Sequence, residues 1–467
     1  MATVEEEVLD AARYLREVRP LDPAELRAYV ESRPTSDEVR AILRSHAWEL
    51  RLVETPDGTF EPVRSPPVTT PPSPPERLPT GLTEVILEWL REAFGPDWAT
   101  GRSGERLRSR VRALKAAYLR AGTTHYEDES DAAAYLLYHL PRSYAATATV
   151  LGEVIAGAGL PRTLRVLDVG AGVGAHLAAI TDVLPDDALV RYEAVEPTPS
   201  AAVLDHLAGA YRGRNVHVHL QDRPIEAVDL DGRYDLVLLG NVLSELEVPT
   251  AVAGRTFEAV ASDGTWVAIA PADPRTSTQL YDVARSLEPP ATVYAPDLRL
   301  WEGRRPTDEH WAFIEGPRLE VPPFQRRLGA AVPADERGAF RNVAVRFSYA
   351  VLRRDGVRRF DVRGDPRRHV PLATAAEAVG SRVNLLAVKL TRDLADGENA
   401  LFRLGDGSQS APWFASLVRP TPTNRALLEA PHGAVLAFER ALVLWNADEG
   451  AYNAVVDDDV RVTRVAP

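Results

Sequence analysis

The chain has 467 residues, a net charge of −13, 45% hydrophobic and 26% charged residues, the make-up of a globular protein of about two to four domains. Cysteine is absent, which excludes disulfides, cysteine-held zinc, iron–sulfur ligation by the chain and thiol nucleophiles. No apolar run approaches the ~18–20 residues that cross a bilayer, and the acidic start Met1-Ala2-Thr3-Val4-Glu5-Glu6-Glu7 lacks the apolar core of a secretion signal, so a cytoplasmic protein is expected.

Lys115 and Lys389 are the only lysines among 54 basic residues, and Met1 is the only methionine. Such a composition fits a GC-rich or salt-adapted proteome, or codon bias alone, and says little about fold.

In chain order, residues 1–64 show helical spacing through Val8, Ala12 and Leu15, then through Leu26, Tyr29 and Val30 after Asp22-Pro23, and again from Thr35-Ser36-Asp37 through Val39, Leu43 and Trp48. Residues 50–53 and 59–63 flank the tight-turn sequence Thr55-Pro56-Asp57-Gly58, so a hairpin should follow. Three helices and a hairpin make the order of a winged helix. With 14 acidic and 9 basic residues, the segment suits packing or protein docking better than DNA.

Residues 65–80 contain seven prolines and are expected to form a stiff, extended linker. Residues 81–160 should be helical. Leu107, Val111, Leu114 and Tyr118 form one apolar stripe, and Arg106, Arg108, Arg110, Arg112 and Lys115 cover much of the rest, as a solvated face or an RNA-facing one. After Pro141, Ser143 is placed to cap a helix running to about Ala158. Residues 161–300 alternate strand and helix patterns, the signature of a parallel α/β sheet, and hold 11 basic against 20 acidic residues. Residues 301–370 reverse that balance, 15 to 10, and residues 371–467 hold short apolar runs between turns, as a small β-rich domain would.

The motif lies in the α/β segment. A buried strand over residues 164–169 runs into Asp168-Val169-Gly170-Ala171-Gly172-Val173-Gly174, and a helix follows from about Ala175. Gly170 and Gly172 permit a tight turn and close approach of backbone to a ligand, and Gly174 lets the helix start pack against the sheet. Asp168 is placed to accept a hydrogen bond from the ligand's amino group or from an ordering water. A second strand, 189–195, ends at Glu196, 22 residues beyond Gly174, where a carboxylate holds both hydroxyls of a ribose. A third, 216–220, ends at Gln221-Asp222, and this acid can accept from an adenine amino group. A fourth, 234–239, ends at Gly240-Asn241 on the carboxyl edge where such sheets bind ligands, and a fifth covers 265–270.

A glycine turn alone is weak evidence, and Gly170-x-Gly172-x-x-Ala175 also fits a dinucleotide fingerprint. The acid two residues before the first glycine, the third glycine, and the acids after the second and third strands point instead to S-adenosylmethionine (SAM). The expected cofactor residues are therefore Asp168, Gly170, Gly172, Gly174, Glu196, Asp222 and Asn241. Asn241 is placed equally well to orient an acceptor amine, supported by Glu245, or to cap a helix. No residue stands out as a catalytic base.

Three stretches carry a resemblance. They are Ala134-Tyr135-Leu136-Leu137-Tyr138-His139-Leu140-Pro141-Arg142-Ser143-Tyr144-Ala145-Ala146; Val166-Leu167-Asp168-Val169-Gly170-Ala171-Gly172 with Asn241-Val242-Leu243-Ser244-Glu245-Leu246; and Phe324-Gln325-Arg326-Arg327-Leu328 with Arg346-Phe347-Ser348-Tyr349-Ala350-Val351-Leu352-Arg353-Arg354. Over roughly residues 81–355 the chain resembles the methyltransferase-like proteins of the mitochondrial small ribosomal subunit and their prokaryotic relatives. The resemblance implies a class I SAM-methyltransferase (Rossmann-like) domain and association with small-subunit ribosomal RNA. Members usually hold an iron–sulfur cluster on cysteines. Here Asp297 stands about where the first is expected, and Val321-Pro322-Pro323-Phe324 replaces a segment with another, so no metal or cluster is expected and packing alone must hold the region. The Glu-Pro-Gly often seen after the fifth strand is Ala270-Pro271-Ala272, which weakens a claim of catalysis.

Seven arginines fall within residues 353–368: Arg353, Arg354, Arg358, Arg359, Arg363, Arg367 and Arg368. Asp355-Gly356 can turn a hairpin that displays the first two pairs, and arginine suits phosphates and stacked bases, so RNA contact is expected here. The expected architecture is α/β: a winged-helix-like domain (1–64), a linker (65–80), a helical domain (81–160), a SAM-binding domain (161–300), a basic RNA-contacting region (301–370) and a small β-rich domain (371–467). The expected function is a SAM-dependent methyltransferase or methyltransferase-like factor acting on small-subunit ribosomal RNA during ribosome assembly, with the ribosomal particle as partner and no membrane. A non-catalytic assembly factor and a small-molecule methyltransferase are the alternatives.

Overall fold

The computed structural model describes residues 3–121, 128–211, 215–230, 232–307, 311–316 and 318–467. They divide into two units, the first holding residues 1–240, 258–261 and 317–344, the second residues 241–257, 262–316 and 345–467.

The first unit begins with α1 (Val4–Leu15), α2 (Pro23–Leu26), α3 (Ser36–Ser45), α4 (Ala47–Leu50) and the antiparallel hairpin β1 (Leu52–Glu54) and β2 (Phe60–Pro62). Thr3 with Glu6 and Thr35 with Glu38 form capping boxes that satisfy the first free N–H groups of α1 and α3. Leu21 bridges to Phe60 beside the hairpin, which completes a winged-helix path around Val8, Ala12, Val39, Leu43 and Phe60. On α3, Arg44 donates to Glu54 at 2.6 and 2.9 Å, so the hairpin engages this helix's guanidinium.

The proline-rich segment is docked rather than a free spacer. Val68 and Leu160 exchange backbone hydrogen bonds at 2.8 and 3.0 Å, and Arg162 donates to the Pro66 carbonyl at 3.1 Å. Then come α5 (Thr80–Phe94), α6 (Gly101–Ala121), α7 (Glu129–Tyr138) and α8 (Leu140–Gly157). Leu107, Val111 and Leu114 of α6 are buried, while the Tyr118 side chain lies outside the described residues. The basic residues of α6 are not a free RNA-facing row. Arg108 is buried and donates to the Ala99 carbonyl at 2.9 Å. Arg106 and Arg110 share Asp128, Arg112 pairs with Glu336, and Lys115 donates to the Ala339 carbonyl. Ser143 is no cap either: α8 starts at Leu140 with Pro141 in its first turn, because proline's missing N–H and preset φ suit that position.

The sheet of this unit is built from β3 (Thr163–Val169), β4 (Leu189–Val195), β5 (Val216–Gln221) and β6 (Tyr234–Gly240), with α9 (Ala175–Val183) after β3 and α10 (Ser200–Gly209) after β4. The strands lie in the order β5-β4-β3-β6, all parallel, and Val169 pairs with Val195, so the carboxyl ends of β3 and β4 emerge side by side. The near-continuous apolar runs of β3 and β6 fit burial on both faces.

The second unit carries most of α11 (Pro249–Glu258) and of β7 (Val260–Pro271), with α12 (Pro274–Ser286), β8 (Thr292–Ala295), β9 (Ile314–Glu315) and β10 (Arg346–Arg353). β10 runs antiparallel between residues 265–271 of β7 and β8, and also pairs with β9. Its last part is a barrel of β11 (Arg382–Lys389), β12 (Ala400–Gly405), β13 (Trp413–Leu417), β14 (Val435–Asn446) and β15 (Ala451–Val456), with β16 (Arg461–Ala466) added beside β14. β11 pairs with both β12 and β14, which closes the ring β11-β12-β13-β15-β14. Only the β13–β15 pair in this ring is parallel, the connectivity of an OB-type barrel. Its core includes Leu385, Leu404, Trp413, Phe438 and Val443. Among the described residues no helix is long and apolar enough to cross a membrane.

Candidate cofactor site

Asp168 stands at the carboxyl end of β3 with no exposed surface. Its carboxylate accepts from His176 Nδ1 on α9 at 2.9 and 3.0 Å, and from the Tyr192 hydroxyl on β4. Burial pulls the His176 pKa down, but the charge and hydrogen bond of Asp168 outweigh it, so the net shift is upward. Burial, and then the charge of Asp168, push the Tyr192 hydroxyl well above the ordinary tyrosine range. The acid expected to meet the ligand's amino group is therefore sequestered between two ring side chains, and its work is to hold the turn. The other side of the His176 ring lies against Gly240 at the end of β6: a Cβ there would stand 2.1 Å from Nε2. One imidazole thus locks the ends of β3 and β6 together, and Gly240 has to be glycine.

The turn itself is left-handed at Gly170, Gly172 and Gly174, with φ of +67°, +56° and +88°, a conformation that costs glycine little and other residues ~1–2 kcal/mol each. The N–H groups of Gly170 and Ala171 donate to the Val195 carbonyl at 2.8 and 3.2 Å, which ties the turn to the end of β4. Gly172 N–H donates to Glu196 Oε2 at 2.7 Å. Glu196 Oε1 accepts from the Thr198 N–H at 3.0 Å. Burial raises the Glu196 pKa in spite of these hydrogen bonds. At Gly174 the neighbour is Leu204 of α10, 3.5 Å from where a Cβ would stand. The close packing expected there is against the helix after β4, not against the sheet. Asp222, just past β5, is exposed.

These residues fit an adenosyl ligand. The turn over Gly172 is open, with only Tyr135 Cε1 near, 3.8 Å from a would-be Cβ. Glu196 sits at the adjoining strand end; Oε1 accepts from both the N–H and the hydroxyl of Thr198, while Oε2, which accepts from Gly172, is able to take a further hydrogen bond. Gly170, Gly172, Glu196 and Asp222 would hold the group, which supplies an electrophilic methyl on its sulfonium.

Sequence reasoning gave no role to His176, Tyr192, Tyr135 or His139. His176 had a signal, since it lies in the first turn of the helix that the glycines start, just after the strand that carries Asp168. The aromatic pair on α7 had none, because its approach to the turn is purely tertiary. The Tyr135 and His139 rings lie 4.9 Å apart at 32°, and Tyr138 meets His139 edge-on at 5.0 Å.

In the second unit, Asn241 takes φ of +60°, tolerable for asparagine, and its N–H donates to the Ile269 carbonyl at 2.7 Å. Glu245 is exposed. The arginine-rich segment departs most from expectation. β10 ends at Arg353 and no hairpin forms around Asp355-Gly356. Arg353 is buried, bound to Asp355, the Thr265 hydroxyl and the Asp263 carbonyl. Arg358 donates to buried Asp297 at 2.7 Å and to the Arg299 carbonyl at 2.9 Å. Arg354 lies 5.7 Å from the Phe257 ring. Arg359 is half-buried beside Gly433, and Arg363 donates to the Arg299 carbonyl at 3.0 Å. Arg367 and Arg368 are exposed. Arg353 and Arg358 are thus corrected from RNA contacts to internal braces, because a buried guanidinium must find acceptors inside the protein. Asp297 also corrects the expectation that packing alone holds this region: a buried ion pair does so.

A methyltransferase domain model matches residues 136–321. The N-terminal and C-terminal models of a domain of unknown function, DUF8157, match residues 5–56 and 373–465. No curated protein matches the chain. Similar solved structures include the N-methyltransferase NodS of Bradyrhizobium japonicum WM9 with S-adenosylhomocysteine, 13% identical over 52% of this chain and 98% of that one, TM-score 0.31. The CurJ carbon methyltransferase is 13% identical over 75% of this chain and 91% of that one, TM-score 0.31. The plantazolicin methyltransferase BpumL with S-adenosylhomocysteine is 9% identical over 58% and 98%, TM-score 0.30. The chain has a class I SAM-methyltransferase fold, carries a methyltransferase domain, and takes SAM as its cofactor.

Proposed function

We propose that this protein is a SAM-dependent methyltransferase acting on a small molecule rather than on small-subunit ribosomal RNA. The observation that carries the choice of acceptor is that several of the basic residues expected to face RNA are engaged by partners within the protein. Arg353 and Arg358 are engaged by buried partners, and the row on α6 is engaged by Asp128, Glu336 and backbone carbonyls. An RNA surface depends on free guanidinium and ammonium groups that displace counterions, and Arg353, Arg358 and the α6 row are committed to partners within the protein.

The test has two stages. Calorimetry should show one equivalent of SAM bound. Incubation with methyl-tritiated SAM and an extract split into small-molecule, protein and RNA fractions should then label the first. Label confined to small-subunit RNA overturns the proposal in favour of the ribosomal alternative. Tight SAM binding with no label in any fraction favours a non-catalytic SAM-binding factor, consistent with Ala270-Pro271-Ala272 at the end of β7.

A further inference from the structure

We propose that the corner between α7 and α8 is the acceptor subsite, and that its ligand is a planar ring bearing an anionic group. The proposal rests on the methyltransferase function above and specifies its substrate class.

Tyr135 is the side chain that approaches the open glycine turn. The His139 ring lies tilted against its ring at 4.9 Å, and Tyr138 meets His139 edge-on. All three are half-buried, so part of this aromatic surface is exposed. The corner is rigid. Gln325 donates to the Leu137 carbonyl at 2.8 Å and Asn342 to the Tyr138 carbonyl at 3.0 Å, which satisfies free acceptors at the end of α7. A platform held this way loses little freedom when a flat ligand stacks on it.

Among the described residues, the charge around it lacks a counterpart. Burial, Arg142 and Lys115 together push the His139 pKa well down, so the ring is neutral at pH 7. Lys115 is committed to the Ala339 carbonyl at 3.1 Å and lies 5.2 Å from the Tyr138 ring. Arg142 is half-buried and has neither a hydrogen-bond nor an ion-pair partner among the described residues. The nearby carboxylates Asp128 and Asp131 belong to Arg106 and Arg110. A half-buried guanidinium without an acceptor, next to a neutral aromatic pair, is matched by a carboxylate or phosphate carried on a flat ring.

An aromatic carboxylic acid and a nucleoside monophosphate share that chemistry, and the experiment separates them. The full-length protein, saturated with S-adenosylhomocysteine, is titrated calorimetrically with 4-hydroxybenzoate and 4-hydroxybenzamide, and with AMP and adenosine. The expected result is that one of the two anions binds and its neutral counterpart binds at least about tenfold more weakly. Arg142→Gln should weaken the anion about tenfold while leaving S-adenosylhomocysteine affinity within about twofold, and Arg142→Lys should recover part of the loss. If Arg142→Gln does not fold, Tyr135→Ala should weaken the anion and its neutral counterpart alike. Equal binding of anion and neutral partner, binding of neither anion, or anion affinity indifferent to both variants would overturn the inference and leave the methyltransferase function standing. Failure of the wild type to bind S-adenosylhomocysteine would instead remove that function, and this subsite with it.

Discussion

The glycine turn at Asp168–Gly174 and the arginine-rich segment at residues 353–368 carry the two most conspicuous motifs in the chain, and they teach opposite lessons. In the turn, the carboxylate that draws the eye is buried against His176 and Tyr192, and its withdrawal leaves the backbone of Gly172 open. In the arginine segment the charges themselves are the feature, and Arg353 and Arg358 are drawn inward while Arg354, Arg363, Arg367 and Arg368 stay exposed. A motif that works through backbone conformation survives the burial of its side chains, because φ is fixed locally. A motif that works through charge does not, because an ion acts on a partner only where it is left unpaired.

The comparison breaks most sharply at Asp297. Asp297→Ala strands Arg358 in the interior and should destabilise the protein by about 3–5 kcal/mol in chemical denaturation, whereas Asp297→Leu with Arg358→Met should return close to wild type. A neutral single variant would mean that Arg358 is free for outside contacts after all. Next comes Gly240→Ala, whose new methyl would stand 2.1 Å from His176 Nε2. It should lower stability by about 1–3 kcal/mol and weaken S-adenosylhomocysteine binding with it. Wild-type behaviour would detach His176 from the turn.

Glu196→Gln sharpens the comparison from the ligand's side. It leaves the fold intact but removes the charged acceptor beside Gly172 N–H, and should weaken S-adenosylhomocysteine by about tenfold in calorimetry. The smallest effect is on pH dependence. The folded His176 pKa lies above its unfolded value, so its contribution is full below about pH 6.5 and is lost as pH rises through the folded value. Wild-type stability should therefore decline over that window, and His176→Gln should flatten the slope. A slope unchanged in the variant would place the titration elsewhere.

Much of the catalytic-type fold was legible. The alternation of short apolar runs and amphipathic segments over residues 161–300 set out the parallel strands, and the positions of the glycines and of Glu196 set out the crevice. Ser143 shows where local rules mislead: it suits a cap, but Pro141 two residues earlier already belongs to the helix. Gly174 shows the same at longer range, since its tight neighbour is Leu204 from the next helix. The closure of the C-terminal strands into a barrel through β11 and β14 had no local signature, because strand pairing over some fifty residues leaves no mark on either strand's own pattern.

What the chain alone determined is whatever depends on neighbours in sequence: a cysteine-free acidic protein, the helix starts at Thr3 and Thr35, the glycine turn, and the carboxylate at the end of the following strand. What only the tertiary structure decided is which polar groups are free to act. Asp168, Arg353 and Arg358 turned inward, and Tyr135 was brought to the edge of the turn with His139 beside it. Hydrogen-bond partners and burial are settled by residues tens to hundreds of positions away, and a charge or a ring has no function until those neighbours are in place.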